Sequence, residues 1–205
     1  MKYLKLFENF YQSEIDKICT KYEIENYTIN PDGSIDVDGD VDLYYKNLKK
    51  LPLKFNKISG DFSCCGNNLK TFEGCPKEVG GNFYCVDNNL TSLIGCPNYV
   101  GGFFDCACNR LTSLIGCPSE IGGEFICNNN PIYELFKVFY DSEQIDECVN
   151  NTDYKIFKEY QEIYNFIRKD SKIVKHLLES AITDYNEFHN NSVKLPKEIK
   201  GYTYI

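Results

Sequence analysis

Cysteine carries the most reactive chemistry in this chain, and its spacing is regular. Of eleven cysteines, Cys64, Cys85, Cys106 and Cys127 recur every 21 residues, and Cys75, Cys96 and Cys117 keep the same interval. Thiolates bind zinc and form disulfides. A tetrahedral zinc site needs four ligands converging on a point, whereas one thiol per repeat gives a row. The spacing therefore predicts small apolar side chains packed in a core, with no metal and no cofactor.

The carboxylates come next. Asp36, Asp38, Asp40 and Asp42 alternate with Ile35, Val37 and Val41, which places the acids on one face of a strand. Setting Gly39 at the glycine position of an EF-hand leaves Ser34 first and Tyr45 twelfth, where a bidentate Glu belongs, so that motif fails. A solvated face, an acidic docking patch and a looser cation site remain, in that order. His176 and His189 are the only histidines and fall in a helical stretch as surface residues. With no nucleophile elbow, phosphate loop or dinucleotide fingerprint, no enzyme is expected.

What positions these residues is a repeat. The 21-residue offset that aligns the cysteines also aligns Phe62, Phe83, Phe104 and Phe125, then Asn67, Asn88, Asn109 and Asn130, then Leu69, Leu90, Leu111 and Ile132. One unit reads V-x-G-x-F-x-C-x-x-N-x-L-x-x-L-x-G-C-P-x-x. Val79, Gly81, Phe83 and Cys85 have the period of a strand and point to the core, leaving Gly80, Asn82, Tyr84 and Val86 outside. Asn88 and its equivalents sit where the chain leaves the strand and can bond exposed backbone groups as a ladder. Gly95-Cys96-Pro97 breaks regular structure, and Gly101-Gly102 permits a tight return to the next strand.

These residues resemble the leucine-rich-repeat family, whose motif L-x-x-L-x-L-x-x-N-x-L maps onto Val79 to Leu90 with Phe83 and Cys85 in apolar places. The resemblance covers about Val37 to Leu135. The first copy departs from it, with Lys46 in the ladder place and Pro52 and Phe55 in place of the Gly-Cys-Pro turn. The family implies an α+β leucine-rich-repeat solenoid: a curved stack whose parallel β-strip lines a concave face, about 20 Å wide for five rungs. The repeat is also similar to that of bacterial ubiquitin-ligase effectors, but their catalytic Cys-x-Asp has only Cys148-Val149-Asn150 as a counterpart here.

Open strand edges invite aggregation, so caps are expected at both ends. Leu4, Phe7, Tyr11, Ile15 and Ile18 predict an amphipathic helix, and Tyr27–Asn30, the turn Pro31–Ser34 and Ile35–Asp38 a hairpin. Phe157, Tyr160, Tyr164 and Ile167 predict one face of a helical cap, and Ile173, Leu177, Ala181 and Ile182 another. The expected organisation is a cap over 1–36, repeats over 37–135 and a helical cap over 136–205, with 191–205 unplaced. The opening Met1 to Phe10 also resembles the capsid-targeting leaders of tailed-phage internal proteins, which implies a phage or bacterial setting.

Composition narrows the partner. A formal net charge of -8 over 205 residues opposes nucleic acid and anionic membrane, which recruit Lys and Arg. No run approaches the roughly 18 apolar residues of a membrane span, and Met1 to Glu8 lacks a signal-peptide core, so a reducing cytoplasm is expected, the host's if the chain is phage-encoded. In such a compartment thiols on neighbouring rungs stay reduced.

The expected function is non-enzymatic protein binding. On the outward face of the strip, Tyr84, Val86, Phe103 and Ile126 lie together with Asp42, Asp61, Asp105 and Glu124 around them. An apolar centre in a charged surround is how interface hot spots are built, and this one suits a protein with a basic contact surface. A phage-borne inhibitor of a host defence protein and a packaged virion component are the alternative classes.

Overall fold

A computed structural model describes residues 2–139, 148–149, 151–168, 171–189 and 191–205. Helix α1 (Lys2–Lys21) precedes an antiparallel hairpin of β1 (Tyr27–Ile29) and β2 (Ile35–Val37), with Tyr27 opposite Val37. Side chains of the first half of α1, including Leu4, Phe7 and Tyr11, lie outside the described residues; Ile15 and Cys19 in its second half are buried.

The repeats stack as a β-solenoid of parallel strands, one rung per 21 residues. Each rung holds two short strands instead of the single strand expected from Val79 to Cys85. The first set, β2, β4 (Phe55–Ile58), β6 (Glu78–Val79), β8 (Tyr99–Val100) and β10 (Glu120–Ile121), forms one sheet with β1 at its edge. The second set, β3 (Val41–Asp42), β5 (Phe62–Ser63), β7 (Phe83–Tyr84), β9 (Phe104–Asp105) and β11 (Phe125–Ile126), forms another, closed at one end by antiparallel β12 (Cys148–Val149).

Paired glycines such as Gly80-Gly81 make the corner between the two sheets, so they turn the chain within a rung and not on its way to the next. A Cβ on Gly101 would lie 2.0 Å from the Gly80 carbonyl oxygen, and one on Gly122 2.1 Å from that of Gly101. Backbone stacks on backbone at this corner, and only hydrogen fits. Inward alternation survives the bend: Val79, Phe83 and Cys85 are fully buried.

Phe62, Phe83, Phe104 and Phe125 form a continuous stack with centroids 5.3 to 5.8 Å apart and planes within 12°. Phe55 closes it edge-on at 5.2 Å and Tyr154 face-on at 4.9 Å. Beside it runs the asparagine ladder. Asn88 Oδ1 accepts the Leu69 N–H at 2.9 Å, while its Nδ2 donates to the carbonyls of Cys64 and Cys85 at 3.0 and 3.3 Å. Each Asn thus binds its own rung to the preceding one.

The last rung becomes helix α2 (Pro131–Phe139), in which Ile132 and Leu135 still occupy the repeat's buried columns. Proline suits the first helical position because its missing N–H has no intrahelical partner there. Helix α3 (Asn151–Tyr164) covers the open end. Tyr154 donates to the Pro118 carbonyl at 2.6 Å, and buried Gln161 accepts the Leu114 N–H at 2.9 Å. The expected helical faces overran their helices: Ile167 and Ile173 lie on β13 (Ile167–Arg168) and β14 (Lys172–Ile173), between α3 and α4 (Lys175–His189). Both are buried, so the apolar signal was right and the period was not. The unplaced tail ends as β15 (Thr203–Tyr204), parallel to β14, and Tyr202 donates to the Thr112 carbonyl at 2.8 Å. No described helix is long and apolar enough to cross a membrane.

Candidate functional site

The outward face of the second sheet is a grid of three columns. Asp40, Asp61, Asn82, Phe103 and Glu124 precede the strands; Asp42, Ser63, Tyr84, Asp105 and Ile126 lie on them; Tyr44, Cys65, Val86, Ala107 and Asn128 follow. Neighbouring rungs are about 4.8 Å apart. Tyr84 pairs with Ser63 on one side and Asp105 on the other, and Asp105 with Ile126, so these three expected contact residues form one row.

The first column knits itself together. Asp40 Oδ1 accepts the Asp61 N–H at 2.7 Å, Asp61 Oδ1 the Asn82 N–H at 2.6 Å, and Asn82 Oδ1 the Phe103 N–H at 2.8 Å. Asp61 therefore has a structural task besides any role in docking. At Phe103 the series ends, because a phenyl ring cannot accept the next amide in this way. Its ring instead leans over the following rung, where a Cβ on Gly123 would lie 2.7 Å from Phe103 Cδ1. Phe103 remains 42% exposed.

Asp42 is exposed and accepts the Tyr44 N–H at 2.9 Å; Glu124 is exposed; Tyr84, Val86 and Ile126 are half-buried. Ala107, which the alternation places outside, is buried. Burial raises the Tyr84 phenol above its usual range, and the nearby Asp61 and Asp105 carboxylates push it the same way.

Burial also raises the Asp105 carboxyl, offset in part by the Ala107 N–H it accepts at 3.0 Å. Because its folded pKa stands above the unfolded value of about 3.9, ionising it favours unfolding, and stability is lost as pH rises through that interval. Asp105→Asn keeps an acceptor for Ala107 and removes the charge. The variant is expected to melt above the parent at pH 7, and the difference should vanish near about pH 3, where Asp105 is protonated in both states. Thermal melts of both proteins across that pH range check it.

Sequence reasoning left one feature of this face out of its contact set. Tyr44 and Tyr45 are 54% and 61% exposed, and their rings meet edge-on at 4.4 Å. Tyr45 adopts a left-handed backbone (φ 50°), lies over Gly66 and donates to Asp87 Oδ2 at 3.4 Å, two rungs away. The signal was present: other copies read Cys65-Gly66, Val86-Asp87, Ala107-Cys108 and Asn128-Asn129 at these places, and none has two aromatics.

The cysteine columns are core. Cys64, Cys85, Cys106 and Cys127 are fully buried, and burial lifts the first three thiols well above their usual range. Cys117 is pushed up to about 12, chiefly by burial. Such thiols pack as small apolar groups and are poor nucleophiles. Among the described residues no three His, Cys, Asp or Glu side chains converge as metal ligands. Cys148 lies on β12, and Asn150 lies outside the described residues. Comparison with protein-family models, curated proteins and solved structures found no match.

Proposed function

We propose that this chain is a non-enzymatic, leucine-rich-repeat-type interaction module that docks a protein with a basic contact surface on the outward face of its second sheet. One observation carries the reading. Across the fifteen grid positions Asp40, Asp42, Asp61, Asp105 and Glu124 supply carboxylates, no position supplies Lys or Arg, and Phe103 and Tyr84 sit among them without being needed to fill the core.

Apolar rings amid carboxylates suit a partner that inserts apolar groups and surrounds them with Lys or Arg. The rings would supply most of the affinity and the carboxylates mainly the association rate. Retaining a half-buried Asp105 against its desolvation penalty is consistent with a role outside folding. A bacterial or phage setting, with a cytoplasmic site of action, belongs to the same proposal and rests on the opening segment's resemblance and on the thiol-rich core.

Replacing Tyr84 and Phe103 together by Ser should leave the melting temperature within about 2 °C, because neither side chain is core. Partner capture from bacterial lysate, measured by quantitative mass spectrometry, should fall at least tenfold, which is about 1.4 kcal/mol. Undiminished capture by a folded double variant would move the site elsewhere.

A further inference from the structure

Among the described residues the most exposed large apolar side chain, Phe188, is not on the grid. Phe188 is 83% exposed and Ile163 65% exposed, at the ends of α4 and α3. They flank a groove of ≈ 380 Å³ between the two helices, lined also by Ile156 and Tyr160. A single exposed apolar residue needs no explanation, but two beside a shared hollow do.

The floor of this groove is firm. Tyr160 stacks on Tyr164 with centroids 6.2 Å apart and meets Tyr185 edge-on at 5.8 Å, and Tyr185 contacts the His189 ring at 4.6 Å. Tyr164 donates to the Asp184 carboxylate. Among the described residues that line it, the groove carries the carboxylates Glu159 and Asp184 and the imidazole of His189, and no Lys or Arg.

Those features select the occupant. Both walls are α-helices, whose backbone groups are satisfied within themselves, so an extended segment would find no ladder to join. A helix brings its own backbone bonds and needs only an apolar face. Acidic rims favour basic flanks on that helix. A second copy of this chain laid face to face would set Glu159 and Asp184 against their equivalents, a like-charge arrangement that opposes it. We propose that the groove between α3 and α4 docks an amphipathic helix with basic flanks from a partner protein, the apolar face resting on Ile163 and Phe188. The site is separate from the grid and does not depend on it.

The test uses the full chain and three fluorescent peptides of equal length. One is built of Leu and Lys in a heptad pattern, one replaces every Lys by Glu, and one alternates Leu and Lys so that it favours a strand. Fluorescence anisotropy should show the heptad Lys peptide binding at least tenfold more tightly than either control. Ile163→Ser and Phe188→Ser, both at exposed positions, should each weaken it at least fivefold with unchanged circular dichroism. The double variant of Tyr84 and Phe103 should bind it normally. Equal binding of the alternating or Glu peptide overturns the proposal, and so does indifference to Ile163→Ser and Phe188→Ser. Loss of binding in the Tyr84 and Phe103 variant overturns it too, by placing the peptide on the grid. Sedimentation that shows dimers abolished by Phe188→Ser would assign the groove to a second copy and overturn it as well.

Discussion

Phe104→Ala should destabilise the folded protein by about 3 to 5 kcal/mol, the largest loss expected from one substitution. The ring is fully buried between Phe83 at 5.3 Å and Phe125 at 5.8 Å, with backbone ladders fixing the rungs on both sides. Those ladders hold the rung spacing, so the neighbours cannot collapse into the space left behind, and cavity and transfer terms add. Because each rung is stabilised by the next, the loss should appear as one lower denaturation midpoint for the array and not as local fraying. Urea denaturation measures it. A loss below about 1 kcal/mol would mean that the phenyl stack does not carry the core.

Asn109→Ala is the second large effect, expected at about 2 to 4 kcal/mol. Asn109 Oδ1 accepts the Leu90 N–H at 3.0 Å, and its Nδ2 donates to the carbonyls of Cys85, Cys106 and Ala107 at 3.0 to 3.1 Å. The carbonyls of Cys85 and Cys106 keep a second asparagine, Asn88 and Asn130 respectively. The buried Leu90 N–H would have no such replacement, and an orphaned buried donor retains its full desolvation penalty. Asn109→Asp separates polarity from hydrogen bonding. It keeps the acceptor but sets a carboxylate against three carbonyl oxygens, so it should be at least as damaging as alanine. If Asp were tolerated while Ala was not, the side chain would be filling space and not binding backbone.

Much of this scaffold is legible in one sequence because a 21-residue interval is a strong constraint. Alignment alone places the Phe stack, the Cys columns and the Asn ladder, each position being filled by a type that suits its surroundings. The corner was harder. Val79, Gly81, Phe83 and Cys85 alternate in the same way along a straight strand or a bent one, and only the recurring Gly-Gly marks where backbone must pass over backbone. The cap misled for a similar reason. Spacings of three and four residues run on through Ile167 and Ile173, yet the chain leaves α3 and pairs those residues as strands.

On the candidate site, the 21-residue register lines up the strand positions of successive rungs, but it does not reveal that Ala107 is buried or which outward groups are already engaged. Asp61 is a carboxylate in the sequence and an acceptor for Asn82 in the fold. Tyr44 and Tyr45 fell in an atypical first copy, where departure from the pattern reads as an end effect. The C-terminal groove needs two helices brought side by side, which no periodicity within either helix conveys.

The central claim is that the partner sits on the grid, and hydroxyl-radical footprinting of the captured complex tests that directly. Tyr99 and Ile115 lie off the grid and are 43% and 50% exposed, close to the 42% of Phe103, so they serve as matched controls. The account predicts that bound partner protects Phe103, Tyr84, Tyr44 and Tyr45 from oxidation by at least threefold while Tyr99 and Ile115 react as they do in the free protein. Protection of Tyr99 and Ile115 with Phe103 and Tyr84 still reactive would contradict it and place the interface on the first sheet and the turns.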